Sequence, residues 1–344
     1  MLKSVLILII IIFSTVITCA QDKNESGGKF HGLAFGDYYY FIDDHKSDLV
    51  DQRGFWFRRI YFTYDYTINK QFSSRLRLEM NNEGDFTSSV VMVAYVKDAW
   101  LKYKISNQEI ILGISPTPTF QLIEKIWNYR SVEKTPLDLQ RMASSRDFGI
   151  AGKGKFDDDG MFRYYLMFSN GSSNKQEVDK GKSGMLSLSM FFAEDFVIEL
   201  YGDYADNPGD ENWYTLQGFL GYDTKKLKAG LQYSAQTRQL HDTTDTKLQV
   251  LSFFISGVVS EHINLLGRVD KMFEPNPEGN RIAFLPFDPT ASSLLLILGV
   301  DYHPIPEVKL IPNIEFVKYS ENRFGNTPTD DLVARLTFFW AFGE

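Results

Sequence analysis

The chain has 344 residues, with 36 Lys and Arg against 44 Asp and Glu, and a formal net charge of −8, the wrong sign for a nucleic-acid binder. Its single cysteine, Cys19, excludes a disulfide framework or a thiolate metal site. Aromatic residues make up 15% of the chain, yet beyond the first twenty residues no apolar run reaches the roughly 20 residues of a spanning helix; Leu294 to Val300 is the longest.

Met1 to Ala20 has the three-part pattern of a cleaved export leader: one charge at Lys3, an apolar run from Val5 to Phe13, and small residues ending Thr18-Cys19-Ala20. An acylated Cys19 is the minor alternative, with Thr18 where a smaller residue is usual. Cleavage after Ala20 leaves 35 basic and 44 acidic residues, a net charge of −9, and no cysteine. The segment 21–344 then reads as one domain.

Sixteen strands follow in that domain. They run Phe30 to Phe41, Phe55 to Ile68, Phe72 to Asn82, Val90 to Ile105, Glu109 to Ser115, Asp147 to Phe156, Phe162 to Ser169 and Gly184 to Phe192. The second half runs Phe196 to Tyr204, Trp213 to Tyr222, Lys226 to Gln236, Lys247 to Val259, Ile263 to Met272, Ala291 to Tyr302, Val308 to Tyr319 and Leu332 to Phe342. Most have the length of a tilted strand crossing a bilayer.

Period-two alternation is clearest in four of them. Ile60, Phe62, Tyr64, Tyr66 and Ile68 oppose Arg59, Tyr61, Thr63, Asp65 and Thr67; Leu76, Leu78 and Met80 oppose Arg75, Arg77 and Glu79. Phe196, Ile198 and Leu200 oppose Glu199, Tyr201 and Asp203, and Leu332 to Phe342 repeats the pattern around Arg335 and Thr337. Val90 to Ile105 fits poorly, because Lys97 falls among apolar residues with Trp100 opposite, which points to a bulge or a subunit contact.

Alternation alone is shared with a soluble sandwich, but the connections are sorted. Eight long polar ones alternate with seven tight ones such as Asn69 to Gln71 and Ser106 to Gln108. That is the asymmetry of a transmembrane antiparallel β-barrel, with apolar faces toward lipid, charged faces toward a wet lumen and long loops outside the cell. Closure also pairs every backbone group, as a bilayer requires.

The third long connection, Pro116 to Arg146, stands apart. Phe120 to Val132 has helical spacing through Leu122, Ile126 and Tyr129, and a loop of this size with structure of its own is usually functional. It is expected to fold into the lumen, presenting Arg130, Lys134 and Arg141. The inward parity adds Arg59, Arg75, Arg77, Glu79 and Lys102 as pore-lining residues, together with Lys153, Arg163, Lys228 and Arg335 and the acids Asp65, Asp98, Glu199 and Asp203.

Tyr129-Arg130-Ser131-Val132-Glu133-Lys134, Ser145-Arg146-Asp147-Phe148-Gly149-Ile150 and Phe168-Ser169-Asn170-Gly171-Ser172 resemble segments of the phosphate-selective porin O/P family of bacterial outer membranes. Gly54 to Phe62 and Gly113 to Phe120 are similar to its Bacteroidetes members. The resemblance spans nearly the whole mature chain and implies a sixteen-stranded barrel, a constriction built by the third loop that includes Arg146, homotrimers and passage of phosphate.

Catalysis is not expected. His31, His45, His241, His262 and His303 all lie in loops, turns or strand ends, without metal-ligand spacing, and no Ser and His pair shares a mid-strand position. The acidic clusters at Asp43-Asp44, Asp206 to Asp210 and Glu274 to Asn280 read as solvated turns rather than ion sites. The sequence therefore predicts an outer-membrane porin in contact with lipid, passing small hydrophilic solutes, anions above all, with no cofactor. A barrel serving surface binding or adhesion through its long loops is the competing reading.

Overall fold

The structure, a computed structural model, describes residues 26–241 and 244–343. The expected leader and Cys19 lie outside the described residues. All sixteen expected strands form: β1 (Gly27–Asp43), β2 (Arg53–Thr67), β3 (Phe72–Met80), β4 (Tyr95–Ile105), β5 (Gln108–Pro116), β6 (Arg146–Lys155), β7 (Phe162–Ser169) and β8 (Lys182–Phe192). They continue as β9 (Phe196–Asp206), β10 (Trp213–Asp223), β11 (Leu227–Arg238), β12 (Thr246–Ser260), β13 (Ile263–Met272), β14 (Ser293–Ile305), β15 (Val308–Tyr319) and β16 (Asp331–Gly343). Each pairs antiparallel with its chain neighbours, and β1 pairs with β16 from His31↔Gly343 to Asp43↔Leu332, closing the barrel. Closure leaves no strand edge, so the ladder satisfies the backbone without solvent.

The expected faces hold on β3, β9 and β16. Leu76, Leu200 and Leu336 are exposed on the outer wall, whereas Glu79, Glu199 and Arg335 are buried inside. The register steps in five strand pairs, and two of these steps turn extra charged residues inward. The β1·β2 register steps from Phe35↔Arg59 to Gly36↔Phe57, leaving Arg58 as the extra residue, and β3·β4 steps from Arg77↔Asp98 to Leu78↔Val96, leaving Lys97. A bulge puts two consecutive residues opposite one. Arg58 and Arg59 therefore both enter the barrel, as do Lys97 and Asp98. This accounts for the poor fit of the fourth strand, which starts at Tyr95 rather than Val90; Val91 before it is 85% exposed.

The eight long connections, L1 to L8, all emerge at one rim and the seven short turns at the other. L3 (117–145) carries α1 (Gln121–Trp127) and a short α2 (Pro136–Leu139). α1 turns Ile123, Ile126 and Trp127 into the protein; of the expected stripe Ile126 is buried on the helix and Tyr129 just beyond its end, while Ile123 rather than Leu122 takes the first inward position. The helix packs across β10, β11 and β12. Gly221 on β10 makes room for it: a Cβ there would lie 2.6 Å from Ile126 Cδ1.

The lumen is not wet all round, as the alternation had implied. Over β12 to β16 the inner wall is apolar, with Phe254, Leu266, Leu295, Ile297, Ile311, Val317 and Val333 all buried. These pack against Ile123, Ile126, Trp127 and Val132 of L3 and against Ile282, Leu285 and Phe287 of L7 (273–292). A largely dry core thus fills that half of the barrel, and stretches such as Leu294 to Leu298 are apolar on both faces, with Arg268, Asp270, Glu315 and Arg335 buried among them. At about 1.5–3 kcal/mol for each fully buried large side chain, this burial is the main force holding L3 inside.

Candidate channel and its waist

Polar anchors complete the docking of L3. A loop laid inside a barrel must find partners for its own backbone carbonyls, and inward side chains supply them. Gln217 Nε2 donates to Thr119 O at 3.2 Å, Arg238 Nη2 to Arg141 O at 2.9 Å and Asn276 Nδ2 to Gln140 O at 2.9 Å. Arg58 donates to Val132 O, Arg268 to Lys134 O and Gln236 to Met142 O. Arg58 also joins Asp37 at 2.7 Å and Glu133 at 3.1 Å, while Arg335 joins Glu315 at 2.9 Å and donates to Phe284 O of L7 at 2.6 Å. Arg335, expected to face water, is instead sealed within this network, because L3 and L7 cover the wall from which it projects.

Two of the cavities in the remaining half of the lumen are lined in part by L3. One, of about 830 Å³, opens toward the long-loop rim and is lined by Arg59, Glu79, Lys97, Lys134, Asp138, Arg141 and Arg238 among others. The other, of about 560 Å³, opens toward the short turns and is lined by Lys104, Glu109, Gln121, Lys125, Lys153, Arg163 and Glu199 among others. L3 contributes to both, through Thr119, Lys134 and Asp138 above and Pro118, Gln121 and Lys125 below.

Strand register stacks the charges of β2 to β6 in three tiers. Uppermost, Glu79 pairs with Arg59 and with Lys97 at 3.0 Å. In the middle, Asp98 pairs with Arg77 at 3.3 Å and with Arg146, and Arg77 Nε donates to Thr63 Oγ1 at 2.9 Å. Lowest, Arg75 grips Asp65 through two bonds of 2.6 and 2.7 Å, and Lys102 meets Glu109 at 3.1 Å beside Trp100. On L3, Arg130 pairs with Glu124 at 3.3 Å and Asp138 at 3.2 Å. Arg141, still nearly half exposed, lies near Glu278 at 3.7 Å on the outer lip.

The structure thus gathers Arg59, Arg77, Glu79 and Arg146 on the wall facing Arg130 and Lys134, sets Arg75 and Lys102 nearer the short turns, and leaves Arg141 at the mouth. Lys97 and Asp138 belong to the same cluster and were not among the expected site residues. A bulge is invisible in the strand that carries it, although the misplaced charge at Lys97 was its trace.

A closed sixteen-stranded antiparallel barrel with its third loop folded against the inner wall is the fold of porins. No family model matches the sequence, and comparison with curated proteins gives no match. Solved structures do match: an anion-selective porin from Comamonas acidovorans (TM-score 0.65, 13% identity, 92% of this chain and 100% of that one). A loop-deletion form of the outer membrane protein OmpT of Vibrio cholerae gives 0.63 at 13% identity, with 92% and 99% covered. Salmonella typhi OmpF gives 0.63 at 11% identity, with 92% and 97% covered.

Proposed function

We propose that the protein is an outer-membrane porin through which small hydrophilic solutes diffuse passively, with anions such as phosphate favoured over cations. The observation that carries this reading is the charge at the waist. Arg59, Arg77, Lys97, Arg130, Lys134 and Arg146 gather at one level with Glu79, Asp98, Glu124 and Asp138, a local excess of cations in a chain whose total charge is −8, while Asp147, Asp203, Glu211 and Glu278 line the upper cavity together with Arg141, Arg238 and Arg281. Lumenal charges tune the ion preference of a pore. The carboxylates are engaged in pairs and hold the guanidinium groups in place, so the surplus positive charge is the part a passing ion meets.

The same reading places Met1 to Ala20 as a cleaved leader, the long loops outside the cell and the leucine-rich outer wall in lipid. Homotrimers are part of it, in keeping with the trimer form in which Vibrio cholerae OmpT has been solved. Reversal potential across a planar bilayer under a salt gradient tests it. Anion preference, reduced by Arg146→Glu, is expected; cation preference in the native barrel refutes the selectivity, and absence of conductance from folded barrel refutes the pore.

A further inference from the structure

At the long-loop rim, among the described residues, one group of three metal-ligating side chains has its donor atoms within 4.8 Å of one another: Asp44 and His45 of L1 and Asp331 at the root of L8. We propose that these three residues bind a single divalent ion of the zinc type at the long-loop rim.

The donor spacing is near that of a coordination shell, the three donor atoms lying within 4.8 Å of one another with His45 Nδ1 hydrogen-bonded to Asp331 Oδ1. His45 Nδ1 lies 2.9 Å from Asp331 Oδ1 and 3.5 Å from Asp44 Oδ1. Donors held about 2.0 Å from a tetrahedral zinc stand about 3.3 Å apart, and one imidazole with two carboxylates leaves a fourth position for water. The side chains of Asp44 and Asp331 are fully buried and that of His45 is 5% exposed. Asp44 Oδ2 and His45 Nε2 have no hydrogen-bond partner, although burial of unpaired polar atoms is costly. An ion bound at Nδ1 would take the place of the Nδ1 hydrogen bond to Asp331 Oδ1 and add positive charge beside the two carboxylates.

The surroundings hold the donors in place as an outer shell does. The Lys46 backbone N–H donates to Asp44 Oδ1 at 2.7 Å, the His45 N–H to Asp331 Oδ1 at 2.7 Å, and Tyr319 Oη to Asp331 Oδ2 at 2.5 Å. Tyr319 Oη also accepts the N–H of Asp288 in L7 at 3.1 Å. Burial and the Asp331 charge push the Asp44 carboxyl up to about 7, against the opposing pull of the Lys46 N–H, His45 and Lys46. Asp43, Asp288 and Asp330 keep the neighbourhood acidic against the single cation of Lys46. An ion here would tie L1 to the start of β16 and, through Tyr319, to L7, stiffening the mouth above the lumenal core.

Zinc titration of the folded, EDTA-stripped barrel by calorimetry tests the site. One equivalent is expected, with affinity falling at least tenfold in His45→Gln and in Asp331→Asn and unchanged in His262→Gln. X-ray absorption at the zinc edge of the unaltered protein should show four nitrogen or oxygen ligands including one imidazole, a readout that stands even if a variant does not fold. Uptake equal in native protein and His45→Gln overturns the proposal. So does a shell with two imidazoles, which would put the ion at His262 and His303, whose rings lie 6.4 Å apart at the short-turn rim. No zinc uptake overturns it while leaving the pore reading untouched.

Discussion

Trp127 is the residue on which the lumenal position of L3 most depends, and replacing it with Ala should open the pore. The ring is 1% exposed, 5.3 Å from the Phe254 ring on β12 and 5.7 Å from that of Tyr129, with the Arg268 guanidinium 5.4 Å from its centre. Its Nε1–H donates to Glu133 O at 2.9 Å, which holds the turn after α1. Truncating a buried Trp to Ala costs about 3–5 kcal/mol. The barrel ladder does not pass through Trp127, so most of that loss falls on docking of L3. At tenfold per 1.4 kcal/mol, the ratio of undocked to docked loop rises by about 100- to 4,000-fold. Single-channel recording should then show larger, noisier steps than the parent, with Trp127→Phe in between. Step size and noise equal to the parent's, in a variant with native heat-modifiable mobility on gels, would show that L3 is not held by this core.

Three further outcomes follow from the same geometry. Leu76→Arg, on the outer wall, should impair assembly by about 2–4 kcal/mol, whereas Arg75→Glu and Arg77→Glu, facing the lumen, should shift reversal potential and leave yield of folded barrel near normal; equal folding defects in both sets would show the assigned faces are wrong. Glu133→Ala strips Arg58 of one of two buried carboxylates and should lower stability to urea in detergent by about 3 kcal/mol; an unchanged midpoint would mean Asp37 alone suffices. In EDTA, L1 should be better protected at pH 5 than at pH 8, measured by hydrogen exchange corrected for intrinsic rate. The Asp44 carboxyl is raised by burial to about 7 and His45 is raised by Asp331 and Asp44 against its own burial, so each favours the docked loop while protonated and that support is lost as pH rises. Equal protection at both pH values would contradict these shifts.

The strands were legible because each had to satisfy two solvents at once. Leu76 between Arg75 and Arg77, or Phe338 beside Thr337, announces an outer and an inner face in three residues. The inner filling was far less legible. Leu294 to Leu298, within the expected strand Ala291 to Tyr302, is apolar at every position, and its inward Leu295 and Ile297 meet loop residues rather than water. L7 read as a solvated turn through Glu274 to Asn280, and only the apolar Ile282, Phe284, Leu285 and Phe287 just beyond hinted that the loop turns back inside. Arg58 could not have been placed at all, since its inward direction depends on a register step against β1 that lies in another part of the chain.

The same distinction between local and global reading bears on ion preference. A net charge of −8 is a property of the whole chain, but exposed charges interact over only about 8 Å at physiological ionic strength. Many of the acids lie on rims and turns, such as Asp85 in L2, Asp157 at the β6–β7 turn and Glu177 in L4 (170–181), where they are bound into their own loops. On the proposed reading, ions at the waist would meet Arg59, Arg77, Lys97 and Arg146 at close quarters. The bulge at Lys97 is decisive there. Without it Lys97 would point to the opposite face from Asp98, Glu79 would face Arg59 alone, and the wall would lose the extra cation on which the proposed anion preference rests. Deleting Lys97 should therefore straighten β4 and weaken selectivity together.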